Sequence, residues 1–411
     1  MNIKNNNHDA RWLLAGIVLC YFALLALVGQ FMDYTAFWKY LGVPTLSPRF
    51  ADLRAITHGW ECYRIGYDVL VDNPCTGSAV NYPLLWMQPA FLGLDEEITD
   101  SVGVILGMLF FLCVFLMLPR LSRREAMVHA AVLCSPSVML AVERGNNDLV
   151  MFVLCVLAII FMSKGRPSAL AMSVVSLIAA AFLKLYPIAG GIIFLHQSRP
   201  RALAAAGMVL VAFGAYVAFT YNDILAIREA VPKIPNWSYG GMAFAQQLAQ
   251  TAARVGVDVS PGTIDAMYIG ALIGACVVAL LLARLLRVSK PDLPESTDKA
   301  FLGLQLGAAV FALTYALGNN FDYRLIFLIL TLPQIMSWSR DTGAHARLSG
   351  AMAVCIVATM WLGFFVPGLY LTTLKVGINL NLDEILNWFI LVYMLYAMIS
   401  TLPSWIRNPQ S

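Results

Sequence analysis

The sequence predicts an all-α polytopic membrane protein, and three observations carry that reading. Charged residues make up 12% of the 411 residues, about half of the roughly 25% usual in soluble chains. Apolar runs of about 20 residues, enough to cross a hydrocarbon core of roughly 30 Å, recur from end to end. The basic residues then sort to one side of the resulting map, as the positive-inside rule requires.

In chain order the apolar spans lie near 12–31, 101–119, 127–143, 147–163, 167–183, 185–197, 202–221, 264–286, 300–317, 321–338, 348–367 and 386–405, about 12 spans or half-helices. The run from Trp12 to Phe31 is too long for a signal h-region and lacks a small-residue cleavage site, so no cleavable signal is expected. Segment 185–197 is short of a full crossing and reads as a half-helix. The piece from Tyr82 to Leu94 contains Pro83 and Pro89 and reads as a helix lying at the interface. With a cytoplasmic N-terminus, the inner segments collect Lys4, Arg11, Arg120, Arg123, Arg124, Lys164, Arg166, Arg199, Arg201, Arg284, Arg287, Lys290, Lys299, Arg340, Arg347 and Arg407. These are more than half of the 27 basic residues, and only a quarter of the 24 acids lie with them. Both termini are therefore expected in the cytoplasm. The chain, 1–411, reads as a single integral membrane domain with long outer loops near 32–100 and 222–263.

The net charge of +3 is spread over the inner loops as topology signals, so no nucleic-acid partner is expected. No CxxC, HExxH, Walker A or DxD pattern occurs, and no metal or cofactor is expected on that ground. Six of the eight cysteines sit in or beside apolar runs, where a small buried hydrophobe is the ordinary role. Cys62 and Cys75 share the first outer loop and could pair if it faces an oxidising compartment.

Charged residues in or beside a span are costly, which makes them functional candidates. Four clusters qualify, all on the expected outer side. The first is FADLRAITHG, with Asp52, Arg54 and His58, followed by Tyr82-Pro83. On spacing alone Asp52 reads either as the N-cap of a short helix, Leu53 to Trp60, or as a reactive carboxylate. The second is ERGNND, where Glu143 and Arg144 form a local ion pair or, with Asn146, Asn147 and Asp148, line an aqueous cavity. The third is FLKLYPI, where Pro187 breaks the helix beside Tyr186 and Lys184. There Lys184 either snorkels to the headgroups or serves the site. The fourth is GNNFDYRLIFL, with Asn320, Asp322 and Arg324, whose charges could simply neutralise each other. Arg144, Lys184 and Arg324 come from separate helix ends, and beside Asp52 they suggest anion binding next to a general base.

At these clusters the sequence resembles the GT-C class of membrane glycosyltransferases. It is similar above all to the bacterial group containing the polyprenol-phosphate-mannose-dependent mannosyltransferase of phosphatidylinositol mannoside synthesis. The matching elements are Asp52 in the first outer loop, Tyr82-Pro83, the turn Gly145 to Asn147, the Lys184 to Pro187 break, and Asn320 to Leu328. Leu84 follows Tyr82-Pro83 where many relatives carry a second proline. The resemblance implies a GT-C-like helical bundle with outer-face loops, set in the inner membrane with its active site facing the periplasm or exterior. It implies an inverting transfer of a hexose, mannose favoured, from a polyprenyl-phosphate sugar to a hydroxyl of a lipid- or glycan-linked acceptor. Asp52 would be the base. Arg54, His58, Tyr82, Arg144, Asn146, Asn147, Lys184, Tyr186, Asn320, Asp322 and Arg324 would bind donor phosphate or substrate, among membrane lipids. Two other readings are an exopolysaccharide polymerase or ligase and a lipid-linked-sugar flippase or transporter. A transporter would more often show an inverted repeat, and none is evident.

Overall fold

A computed structural model describes residues 9–231, 238–286, 297–318, 320–365 and 382–407. In chain order its helices are α1 (Arg11–Gly29), α2 (Tyr34–Tyr40), α3 (Ala51–Arg64), α4 (Thr99–Met117), α5 (Arg123–Leu133), α6 (Pro136–Glu143), α7 (Asp148–Met162), α8 (Pro167–Leu183) and α9 (Arg199–Phe219). They continue with α10 (Tyr221–Ala230), α11 (Gly241–Arg254), α12 (Pro261–Leu285), α13 (Lys299–Ala316), α14 (Leu332–Trp338), α15 (Ala344–Phe365), α16 (Leu382–Ser400) and α17 (Ser404–Arg407). Segments Leu84–Leu92, Tyr186–His196 and Asp322–Leu330 are 3₁₀-helical. The chain is an all-α polytopic membrane protein. Among the described residues, six helices are long and apolar enough to cross a membrane, or seven if the bent pair α5–α6 counts as one span.

Three expected spans take a different form. The run at 127–143 bends by 50°, because Ser135 caps a new helix by accepting the Val138 N–H and Pro136 starts it. The run at 185–197 is a 3₁₀ segment opened by Pro187, which has no N–H to extend α8. The run at 321–338 is not one helix but a 3₁₀ segment followed by α14. Such irregular backbone is tolerated at membrane depth only where protein covers it, and Leu325 to Leu330 are at most 3% exposed. Glycines let α13 lie on that backbone: a Cβ on Gly307 would come 2.7 Å from the Phe327 carbonyl oxygen, and one on Gly303 equally close to that of Leu330. The last two residues of the span expected at 348–367 lie outside the described residues, as do Lys4, Arg287, Lys290 and part of the loop at 222–263.

The long loop between α1 and α4 has its own small core. Ile56, Trp60, Val69, Leu70, Val80 and Met87 pack together, and Cys62 and Cys75 are joined by a disulfide. Trp60 donates to the Trp86 carbonyl at 2.7 Å, and Trp86 donates to that of Leu183 at 3.0 Å. The loop is thus fastened to the end of α8, beside Lys184. A two-residue antiparallel pair, β1 (Ser238–Tyr239) with β2 (Asn320–Phe321), joins the connection between α10 and α11 to the start of the 322–330 segment.

Candidate active site

The start of α3 is docked on the turn after α6. The Phe50 N–H donates to the Glu143 carbonyl at 3.0 Å, and the N–H groups of Asp52 and Leu53 donate to that of Arg144 at 3.1 and 3.3 Å. These bonds satisfy donors that a helix start otherwise leaves without partners. Close approach is possible because residue 145 is glycine. Its φ is +56°, and a Cβ there would meet Leu53 and Phe50 at 3.2 Å.

Asp52 is therefore not the N-cap. The helix begins at Ala51 after Phe50, which sits in the left-handed region at φ 59°. The Asp52 carboxylate instead crosses to the turn, where Arg144 Nη1 donates to Oδ1 at 3.2 Å and Asn146 Nδ2 to Oδ2 at 2.5 Å. Its side chain stays 15% exposed, so the oxygens keep lone pairs within reach of a bound molecule. Glu143 does not form the local pair with Arg144. It accepts from the hydroxyls of Tyr34, at 2.6 Å, and Thr45.

A second carboxylate, Asp148, is the hub of the other charged residues. It is fully buried at the start of α7. Its Oδ1 accepts from Lys184 Nζ and from the Tyr186 hydroxyl, the latter at 2.8 Å. Its Oδ2 accepts from Arg324 Nε at 3.1 Å. Lys184 also donates to Asn147 Oδ1 at 2.5 Å, so it points into the protein and does not snorkel. Arg324 also donates to Asn320 Oδ1, and its guanidinium lies 5.3 Å from the Tyr186 ring centre. The mutual neutralisation of Asp322 and Arg324 thus gives way to a pairing of Arg324 with Asp148. Asp322 is itself buried at the head of the same segment. Two cations meet one carboxylate here, which leaves a positive surplus in this group of contacts.

Tyr82 joins the two carboxylates' surroundings. Lys184 Nζ stands 5.8 Å from its ring centre. Desolvation, and next the Asp52 carboxylate, pushes the Tyr82 phenol up, so it faces the site as a neutral hydroxyl. Arg54 and His58 do not reach Asp52. Arg54 turns to Asp100 at 3.0 Å, and His58 pairs with Glu96.

The fold brings together Asp52, Tyr82, Arg144, Asn146, Asn147, Lys184, Tyr186, Asn320 and Arg324, while Arg54 and His58 stand apart. Sequence reasoning placed Asp148 in the polar turn but not at its centre. The signal was there: an acid opening an apolar helix has to find cations, and two were at hand in the neighbouring clusters. The arrangement suits one chemistry above others. A reachable carboxylate can take a proton from a hydroxyl, and a fixed cation group beside it can meet a developing anion.

The sequence model of glycosyltransferase family 87 matches residues 74–316. No curated protein and no solved structure matches the chain.

Proposed function

The chain belongs to glycosyltransferase family 87, and from that premise we propose that this GT-C-type membrane glycosyltransferase draws a hexose from a polyprenyl-phosphate sugar. Mannose is the favoured hexose, and the acceptor is a hydroxyl of a lipid- or glycan-linked molecule on the outer face of the membrane. The observation that carries this reading is the contrast between the two carboxylates. Asp148 is enclosed by Lys184, Tyr186 and Arg324, so it holds cations in place. Asp52 has one donor on each oxygen and remains partly exposed, so it can receive a proton.

In the proposed reaction the acceptor oxygen attacks the anomeric carbon and forms the new glycosidic bond. The bond from that carbon to the phosphate oxygen breaks, its electron pair leaves with the polyprenyl phosphate, and configuration inverts. The acceptor's proton passes to Asp52. Negative charge grows on the departing phosphate, and the Lys184–Arg324 group stabilises it most in the transition state. Tyr82 is placed to hydrogen-bond a sugar or phosphate oxygen. The family match favours this reading over a transporter. A lipid donor and an outer acceptor also accord with the topology expected from the distribution of basic residues, with Asp52 outside the inner membrane and both termini in the cytoplasm.

Purified protein incubated with a panel of polyprenyl-phosphate hexoses is expected to release free polyprenyl phosphate with one of them when acceptor lipid is supplied. Transfer from nucleotide sugars instead, with release of the nucleoside phosphate, would overturn the donor assignment. Cysteine labelling at positions 52 and 124 is expected to mark opposite sides of the membrane, and labelling of both from one side would overturn the topology.

A further inference from the structure

The helix α1 leans on α5 and leaves a groove between itself and α4. The groove encloses about 570 Å³ and is almost wholly apolar, a size within the range of ligand sites. Phe22 and Phe111 line it and meet edge to face, 5.2 Å between ring centres. On the α4 side the Phe50 ring packs on Gly103, where a Cβ would come within 2.6 Å of it, and Val142 lies 3.5 Å from a Cβ on Gly107. Val104, Met108, Phe111 and Phe115 form the rest of the wall. Its outer end is closed by Phe50 and Val142. Phe50 is two residues from Asp52, and Val142 is two residues from Arg144, so the groove ends directly against the two segments that form the carboxylate site.

The charge at that end has a sign. The Arg49 guanidinium lies 5.9 Å from the Phe50 ring centre, at the mouth. Arg49 and Arg54 share one carboxylate, Asp100, at 2.7 and 3.0 Å, and the Arg49 side chain remains 55% exposed. Two cations on one acid leave a surplus positive charge over an apolar trough, which is complementary to a lipid carrying one phosphate.

The geometry points to this groove as the seat of the donor's polyprenyl chain, with Arg49 receiving the lipid phosphate as it enters. This rests on the lipid-phosphate reading of the donor given above. A bulk phospholipid fits less well, because the groove ends at the reactive carboxylate and a lipid lodged there would block the donor's approach. In a bilayer the chain gains little by leaving lipid, so its preference for the groove comes from packing against Phe22, Phe111 and Phe115.

The test is photo-crosslinking of the full chain in nanodiscs with undecaprenyl phosphate that carries a diazirine in mid-chain. Labelled peptides are expected from α1 and α4 around Phe22 and Phe111. Unlabelled undecaprenyl phosphate should displace the probe, and phosphatidylglycerol should not. Filling the groove with Gly107→Leu, or from the other wall with Ala15→Trp, should cut that labelling by at least about tenfold. Saturable labelling on other helices, or equal displacement by phosphatidylglycerol, would overturn the groove assignment and leave the donor class standing. No saturable labelling anywhere would overturn both.

Discussion

Asn146 holds Asp52 with one end of its amide and the start of a helix with the other. Its Nδ2 donates to Asp52 Oδ2 at 2.5 Å, while its Oδ1 accepts the Asp148 N–H at 2.8 Å. The proposed base is therefore fixed relative to the first turn of α7, the turn that carries the cation-binding carboxylate. Substituting Asn146 with Ala should free Asp52 to rotate and slow transfer about 100-fold, the scale of a displacement near 1 Å. Donor affinity should change little, because Lys184 and Arg324 keep their own partners. Parallel measurement of turnover and donor binding checks the split, and an equal loss in both would mean that Asn146 binds the donor.

The Asp52→Asn variant separates proton transfer from structure. Asn is close in size and keeps a carbonyl oxygen for Arg144, and helix α3 does not depend on a cap from this side chain. The variant should fold and bind donor, yet lose transfer by at least about 100-fold, since positioned bases contribute about 10² to 10⁴ in rate. That corresponds to roughly 3 to 5 kcal/mol of barrier. More than about a tenth of wild-type transfer would remove Asp52 from the base's role.

Asp148 and Lys184 should differ in what their loss does to stability. Lys184→Ala leaves Asp148 with Arg324 and Tyr186. Asp148→Ala instead leaves two cations without their carboxylate, and breaking a buried pair in this way costs about 3–5 kcal/mol. Thermal unfolding in detergent should therefore show the larger drop in midpoint for Asp148→Ala. The reverse order would mean that the cations find other partners and that Asp148 is not the hub.

Gly145→Ala should harm the site through the backbone alone. A residue with a Cβ pays roughly 1–2 kcal/mol at positive φ, and here the new methyl would also press on Phe50 and Leu53 at 3.2 Å. The start of α3 would be pushed off the turn, lengthening the Asp52 contacts to Arg144 and Asn146. Transfer should fall about tenfold or more with a modest fall in unfolding midpoint, measured side by side. Full activity would mean that the turn can move without carrying Asp52 with it.

Much of the architecture was legible locally. The expected runs at 147–163 and 167–183 differ by at most a residue at each end from α7 and α8, because length and apolarity are properties of the segment itself. The polar clusters were legible for the same reason: Arg144, Lys184 and Arg324 interrupt apolar sequence at a cost that has to be met somewhere. Where the cost is met was not. Nothing near position 52 says that its carboxylate spans 94 residues of chain to reach Asn146. Local rules offered a cap instead, since Asp before a helix usually makes one.

Sequence alone determined that this chain lies in a membrane, where its apolar segments run, and which few polar residues are too costly to be incidental. These follow from transfer energies that each segment carries by itself. Tertiary structure decided which acid is which. Asp148 and Asp52 are both acids in the first turn of a helix, and their difference is made by neighbours from distant segments. Lys184, Tyr186 and Arg324 close around Asp148, whereas Arg144 and Asn146 hold Asp52 from one side and leave it open. The 3₁₀ form of 322–330 belongs to the same class of decision. It persists because α13, through Gly303 and Gly307, covers backbone that lipid could not satisfy.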